Sequence, residues 1–164
     1  MHVSLVGSEM CIRDSGMITA VEAFHNHGYL YKNPNLPMDE DVRSRMLSGG
    51  RYHAHDYFGV LQQRKETMQA FGESMRGFDA LVMPSSTSTA PILTEVDQAL
   101  SPGHFTRPFN FLEMCGLSLP IELADNGLPT SLQIVGRGYD EGICLRIGAA
   151  LERDLEPIGQ PDLP

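Results

Sequence analysis

Apolar positions along this chain change their spacing near residue 77. Upstream they recur every three or four residues, as on one face of a helix; downstream they gather into short unbroken runs, as in strands. Met17, Ile18, Val21 and Phe24 predict a short helix over 17–27, with Gly28 placed to end it. Residues 29–37 hold two prolines and two asparagines and read as a loop. A helix over 39–47 comes next, its first-turn acids facing the positive end of the helix dipole, and Ser48-Gly49-Gly50 breaks it. The longest element is expected over 53–76, where Tyr57, Leu61, Arg64, Met68, Phe71 and Met75 form a seam down one helix face. Such a seam reads as core packing, because three heptads are few for a coiled coil. Gly77 is the stop.

Residues 79–83 are a nearly continuous apolar run, as expected for a strand covered on both faces. The run leaves through Pro84 into a polar loop, Ser85 to Thr89, and residues 93–103 carry little periodic signal. A helix is expected to start at about Pro108. Residues 117–123 and 130–135 predict two strands, linked by a segment whose Asn126-Gly127 supplies the positive φ of a turn. A helix over 139–152 closes the pattern. The expected class is α/β, with the upstream helices covering whatever sheet these strands build.

Composition narrows the function. At 164 residues with 41% hydrophobic and 20% charged residues, the chain has the makings of one ordinary globular domain. The formal charge of −9 argues against nucleic acid, whose phosphates demand clustered Lys and Arg. Cys11, Cys115 and Cys144 are an odd number without CxxC spacing, which fits a reducing compartment. No apolar run reaches the ~18–20 residues that span a bilayer, so no membrane partner is expected. Nor does a charged-then-apolar leader open the chain, and a cytoplasmic location is the default. Residues 1–15, MHVSLVGSEMCIRDS, share no period with the rest of the chain. The string resembles a translated adapter read-through and is set aside as a non-native tail, leaving 16–164 as the domain.

Five short pieces then occur in a fixed order. They are Phe78-Asp79-Ala80-Leu81-Val82-Met83-Pro84 followed by Ala90-Pro91, then Phe109-Asn110-Phe111-Leu112, Leu117-Ser118-Leu119-Pro120, Gly127-Leu128-Pro129, and Leu132-Gln133-Ile134-Val135-Gly136. Together they resemble the C-terminal end of the amidase signature family, related to the amidotransferase A subunits. The resemblance implies the last strands and covering helices of a mixed β-sheet, hence an incomplete amidase domain whose partner is the missing N-terminal half. It also implies hydrolysis of a small-molecule carboxylic amide through an acyl-serine, by a Ser–Ser–Lys triad, with no cofactor and no metal.

The triad itself is not found. A serine nucleophile needs a base to take its proton, and the developing oxyanion needs backbone donors from a glycine-rich turn. No Gly-Gly-Ser-Ser-Gly-Gly run occurs, and the only lysines, Lys32 and Lys65, match no catalytic position. Ser85-Ser86 lacks flanking glycines, and Gly116-Leu117-Ser118-Leu119-Pro120 fails the nucleophile-elbow pattern at Pro120. Cys115 with His104 could form a thiol nucleophile, though a Cys in an apolar run is more often a small core residue. His25/His27 and His53/His55 are spaced i, i+2, about 200° apart on a helix, which separates their rings. That leaves catalytic residues: none, and a fragment expected to be inactive alone, or a non-catalytic binding module derived from the fold. Arg45 is kept for substrate. Its surroundings, residues 41–47, resemble the helix that carries paired arginines in the amidotransferase A subunits. Here Ser44 replaces one arginine, and Gly103 stands where those subunits carry an acid.

Overall fold

The computed structural model describes residues 6–97, 103–156, 158 and 159. They fall into two compact units, residues 1–71 and 72–164.

The first unit is helical. Helix α1 spans Val6–Tyr31, α2 spans Glu40–Ser48, a 3₁₀ turn covers Gly49–Arg51, and α3 spans Ala54–Ser74. Helix α1 is longer than the periodicity predicts at both ends. Gly28 does not stop it, because its carbonyl still accepts from Lys32 N–H at 3.0 Å. A single interior glycine costs only ~1 kcal/mol, too little to end a continuing helix. Helix α2 begins as expected, with Asp39 Oδ1 accepting from the backbone N–H groups of Asp41 and Val42 at 2.9 and 3.0 Å. Gly49-Gly50 is more than a stop. A Cβ on Gly49 would collide with the Ala20 carbonyl, and one on Gly50 would sit 2.5 Å from Phe24 Cζ, so the pair lets the turn lie against α1. The predicted seam of α3 is half-buried from Tyr57 to Phe71 and reaches the core only at Met75, just past the helix end, while the buried residue within the helix is Val60. Tyr57 ties α3 to α1 by donating to Glu22 Oε1 at 2.9 Å.

The second unit holds the sheet. Strand β1 is Leu81–Pro84, α4 is Arg107–Phe111, β2 is Cys115–Leu123, β3 is Pro129–Gly136 and α5 is Glu141–Asp154. The strand order is β1-β3-β2, and both pairings are antiparallel. Strand β3 is therefore central, and Ile134 and Val135 are fully buried. Strand β1 is an edge, and its residues alternate between half-buried and exposed, which corrects the expectation of burial on both faces: Val82 is 56% exposed. Pro120 is tolerated because β2 is the other edge, where a missing N–H breaks no inner ladder, and the register shifts between Pro120 and Glu122. The β2–β3 turn uses Gly127 at φ 76°, with Gly127 N–H donating to Ala124 O at 2.8 Å. Helix α5 packs on β2 and β3, and Gly148 is the point of closest approach, where an added Cβ would overlap Leu117 Cδ2. Pro at the start of α4 fits the signal at Pro108.

Candidate functional site

The loop leaving β1 and the far end of the β2–β3 hairpin enclose a groove of about 460 Å³. Val82, Met83, Pro84, Ile121 and Leu132 line it on the apolar side, and Ser86 to Thr89, Thr130, Ser131 and Glu122 on the polar side. Local hydrogen bonds shape this loop. Ser85 N–H donates to Ser131 O at 3.0 Å, carrying the β1 ladder one residue past Pro84. Ser86 Oγ donates to Ser88 O at 2.6 Å, and Asn126 Nδ2 donates to Thr89 Oγ1 at 2.9 Å, pinning the loop to the hairpin turn.

Ser85 and Ser118 are brought together, their hydroxyl oxygens 2.9 Å apart. Ser118 stands opposite Gln133, a buried amide whose Nε2 donates to Phe105 O at 2.8 Å and Pro84 O at 3.3 Å. A hydroxyl bonded to a hydroxyl gains no basicity, and a nucleophile needs an acceptor for its proton. Both lysines belong to the first unit. There Lys32 Nζ lies 4.8 Å from the centroid of the Phe24 ring, and Lys65 is exposed on α3. The groove carries one ionisable side chain, Glu122, and no glycine-rich turn. It can accept and donate hydrogen bonds to a bound polar group.

The two arginines of α2 play different parts. Arg45 is exposed on α2, its Nε donating to Asp41 O at 3.2 Å, which leaves its charge facing solvent. Arg43 is buried and holds the carbonyls of Tyr31, Asn33 and Leu36 at 2.6–2.8 Å, so it knits the 31–36 loop to α2. The predicted separation of the second histidine pair is corrected. His53 lies just outside α3, and its ring stacks on His55 at 5.5 Å and 7°. The pairing of Cys115 with His104 is also corrected: His104 meets Phe105 edge-on, and Cys115 Sγ instead lies 3.6 Å from Cys144 Sγ. Burial, then the bond to Cys115, push the Cys144 thiol up to about 11. Nothing in the residue spacing marks this pair, since one member is on a strand and the other on a helix 29 residues later.

Residues 2–145 match the family model described as Amidase. Over 123 residues the chain is 37% identical to the A subunit of the glutamyl-tRNA(Gln) amidotransferase of Anaeromyxobacter dehalogenans (strain 2CP-C), covering 72% of this chain and 25% of that protein. The corresponding protein of Desulforamulus reducens is 36% identical over 114 residues, 67% of this chain and 23% of that one. The chain thus spans about a quarter of the length of the curated relatives it matches. A solved amidase superposes with a TM-score of 0.82 at 25% identity, covering 91% of this chain and 36% of that chain. A second structure, described as a vestigial protein complex that reveals the origins of an s-triazine catabolic enzyme, gives 0.81 at 19%, covering 93% and 36%, a likeness of fold alone. The open sheet flanked by helices is the architecture of these proteins.

Proposed function

The chain belongs to the Amidase family, and from that membership we propose that residues 16–164 are a non-catalytic, C-terminal module of the amidase fold, one that binds but performs no acyl transfer alone. The observation carrying this reading is the Ser85–Ser118 contact, a hydroxyl pair that ends in a hydroxyl, beside a groove whose ionisable side chain is Glu122. The partner is the N-terminal half of an amidase domain. The free edge of β1, with Val82 56% exposed, and the exposed Ile92 and Leu93 support an apolar mate for this unit. In that whole domain the activity is hydrolysis of a small carboxylic amide at its C–N bond, through an acyl-serine and without metal or cofactor. The partner half supplies nucleophile, base and oxyanion donors. Arg45, exposed and held by one backbone bond, is the residue of this module that meets a substrate carboxylate. The setting is cytoplasmic. The net charge of −9 repels phosphate, and among the described residues no helix is long and apolar enough to cross a membrane.

The test is turnover of a simple aryl amide by the purified chain, followed through the released arylamine. No release above the buffer blank is expected, with or without a serine-directed phosphonate. Phosphonate-sensitive turnover overturns the reading.

We propose also that residues 1–15 are foreign to the fold, although the family model matches from residue 2 and α1 runs through Val6–Ser15 without a break. Asp14, 1% exposed, bonds Arg13 through Oδ1 while its buried Oδ2 has no partner. An unpaired buried carboxylate oxygen is a costly feature that a native helix seldom keeps. An uninterrupted genomic reading frame encoding the same fifteen residues would remove this proposal.

A further inference from the structure

Two thiols from separate elements converge at the end of the sheet. Cys115 opens β2 and Cys144 lies in the second turn of α5, and their sulfurs are 3.6 Å apart, close enough for one S–H to donate to the other sulfur. Cys115 stands in register with Gly136 of β3. A Cβ on Gly136 would lie 2.7 Å from Cys144 Sγ and 3.1 Å from Cys115 Sγ, so both sulfurs fill the space left by that missing side chain. Their exposure differs. Cys144 is 2% exposed, whereas Cys115 is half-buried and also reaches Arg137 O at 3.0 Å.

We propose that Cys115 and Cys144 form a redox-active dithiol, a modification site at which a small-molecule disulfide is reduced and an intrachain disulfide joins β2 to α5. The asymmetry in exposure sets the order of events. Cys115, as thiolate after losing its proton to solvent, attacks one sulfur of the external disulfide. That S–S bond breaks, a mixed disulfide forms on Cys115, and the departing thiolate takes up a proton. The Cys144 sulfur then attacks Cys115 Sγ and expels the second small thiolate, which takes up the proton that Cys144 gives up. Two protein thiols are oxidised by two electrons, and one small disulfide becomes two thiols. The sulfurs need to approach by only about 1.5 Å to reach the ~2.05 Å of a disulfide. Burial, which raises the Cys144 thiol to about 11, keeps it protonated until an adjacent electrophilic sulfur is in place.

The experiment incubates the full chain in glutathione buffers of increasing oxidised fraction, quenches with N-ethylmaleimide and maps the peptides by mass spectrometry. The expected result is a peptide pair joined through Cys115 and Cys144, lighter by two hydrogens than the separate thiols and restored by dithiothreitol. Cys144→Ser is expected to accumulate glutathione on Cys115, and Cys115→Ser to leave Cys144 unmodified. Wild-type protein that stops at stable glutathione on Cys115, links through Cys11, or stays reduced in fully oxidised glutathione overturns the proposal. The wild-type map decides this even if a variant fails to fold.

Discussion

Replacing Arg43 separates a structural arginine from its neighbour. Its side chain is 9% exposed; Nη1 donates to Tyr31 O and Asn33 O at 2.8 and 2.7 Å, Nη2 to Leu36 O at 2.6 Å, and Nε to Glu40 Oε1 at 2.8 Å. The Glu40 carboxylate is 75% exposed, so that ion pair contributes little. The three carbonyl bonds matter because they reach α2, whereas the bonds from Asn33 N–H to Leu30 O, Asn35 N–H to Asn33 Oδ1 and Leu36 N–H to Asn33 O are local to the loop and the end of α1. Bonds to a charged donor contribute ~1.5–3 kcal/mol each, but they share one side chain and the freed carbonyls can partly rehydrate. Arg43→Leu should therefore cost ~2–4 kcal/mol in total rather than the sum. Arg43→Lys should recover only part of it, since one ammonium cannot reproduce a planar fork reaching three carbonyls. Arg45→Leu is the control: exposed, with one bond at 3.2 Å, it should change stability by no more than ~0.5 kcal/mol. The assay is urea unfolding followed by far-UV circular dichroism, with limited proteolysis in the 31–36 loop as a local readout. A midpoint for Arg43→Leu no lower than that for Arg45→Leu, at equal slope, would refute the assignment of Arg43 as the loop's anchor.

Two further predictions concern the second unit. Gly148→Ala gains ~1 kcal/mol of helix propensity but drives a methyl into Leu117 Cδ2, an overlap that typically costs ~1–3 kcal/mol, so a net loss is expected. Adding Leu117→Val should restore part of it in a double-mutant cycle, whereas stabilisation by Gly148→Ala alone would mean α5 does not rest on Leu117. Under reducing conditions, stability should fall between pH 9 and 11. The Cys144 thiol ionises at about 11 when folded and at its ordinary 9.0 when unfolded, so rising pH favours the unfolded chain through that window. The contribution, on the order of 2 kcal/mol, is intact below pH 9, is lost as pH rises towards 11, and should be absent from Cys144→Ala. Equal pH slopes for the two proteins would contradict it.

Residue order by itself determined the elements whose signals are local. The start of α2, the Asn126-Gly127 turn, the two C-terminal strands and α5 could be read because first-turn acids, a turn or an amphipathic period lie within a few neighbouring residues. The family was legible too, since five short pieces kept their order. Length of α1 was not, because Gly28 weakens a helix without deciding where it ends. Nor was the standing of β1, since an apolar run reads alike on an edge or in a centre and with one face covered or two; the assembled sheet made β1 an edge and left Val82 on an open face. Arg43 and Arg45 are two residues apart with the same chemistry, and only the path of the 31–36 loop gave one of them three carbonyls to hold. Likewise Cys115 met Cys144 rather than His104 because packing of α5 across β2 and β3 decided the distance. Such contacts join residues far apart in the chain, and it takes the assembled backbone, not the local pattern, to bring them within reach.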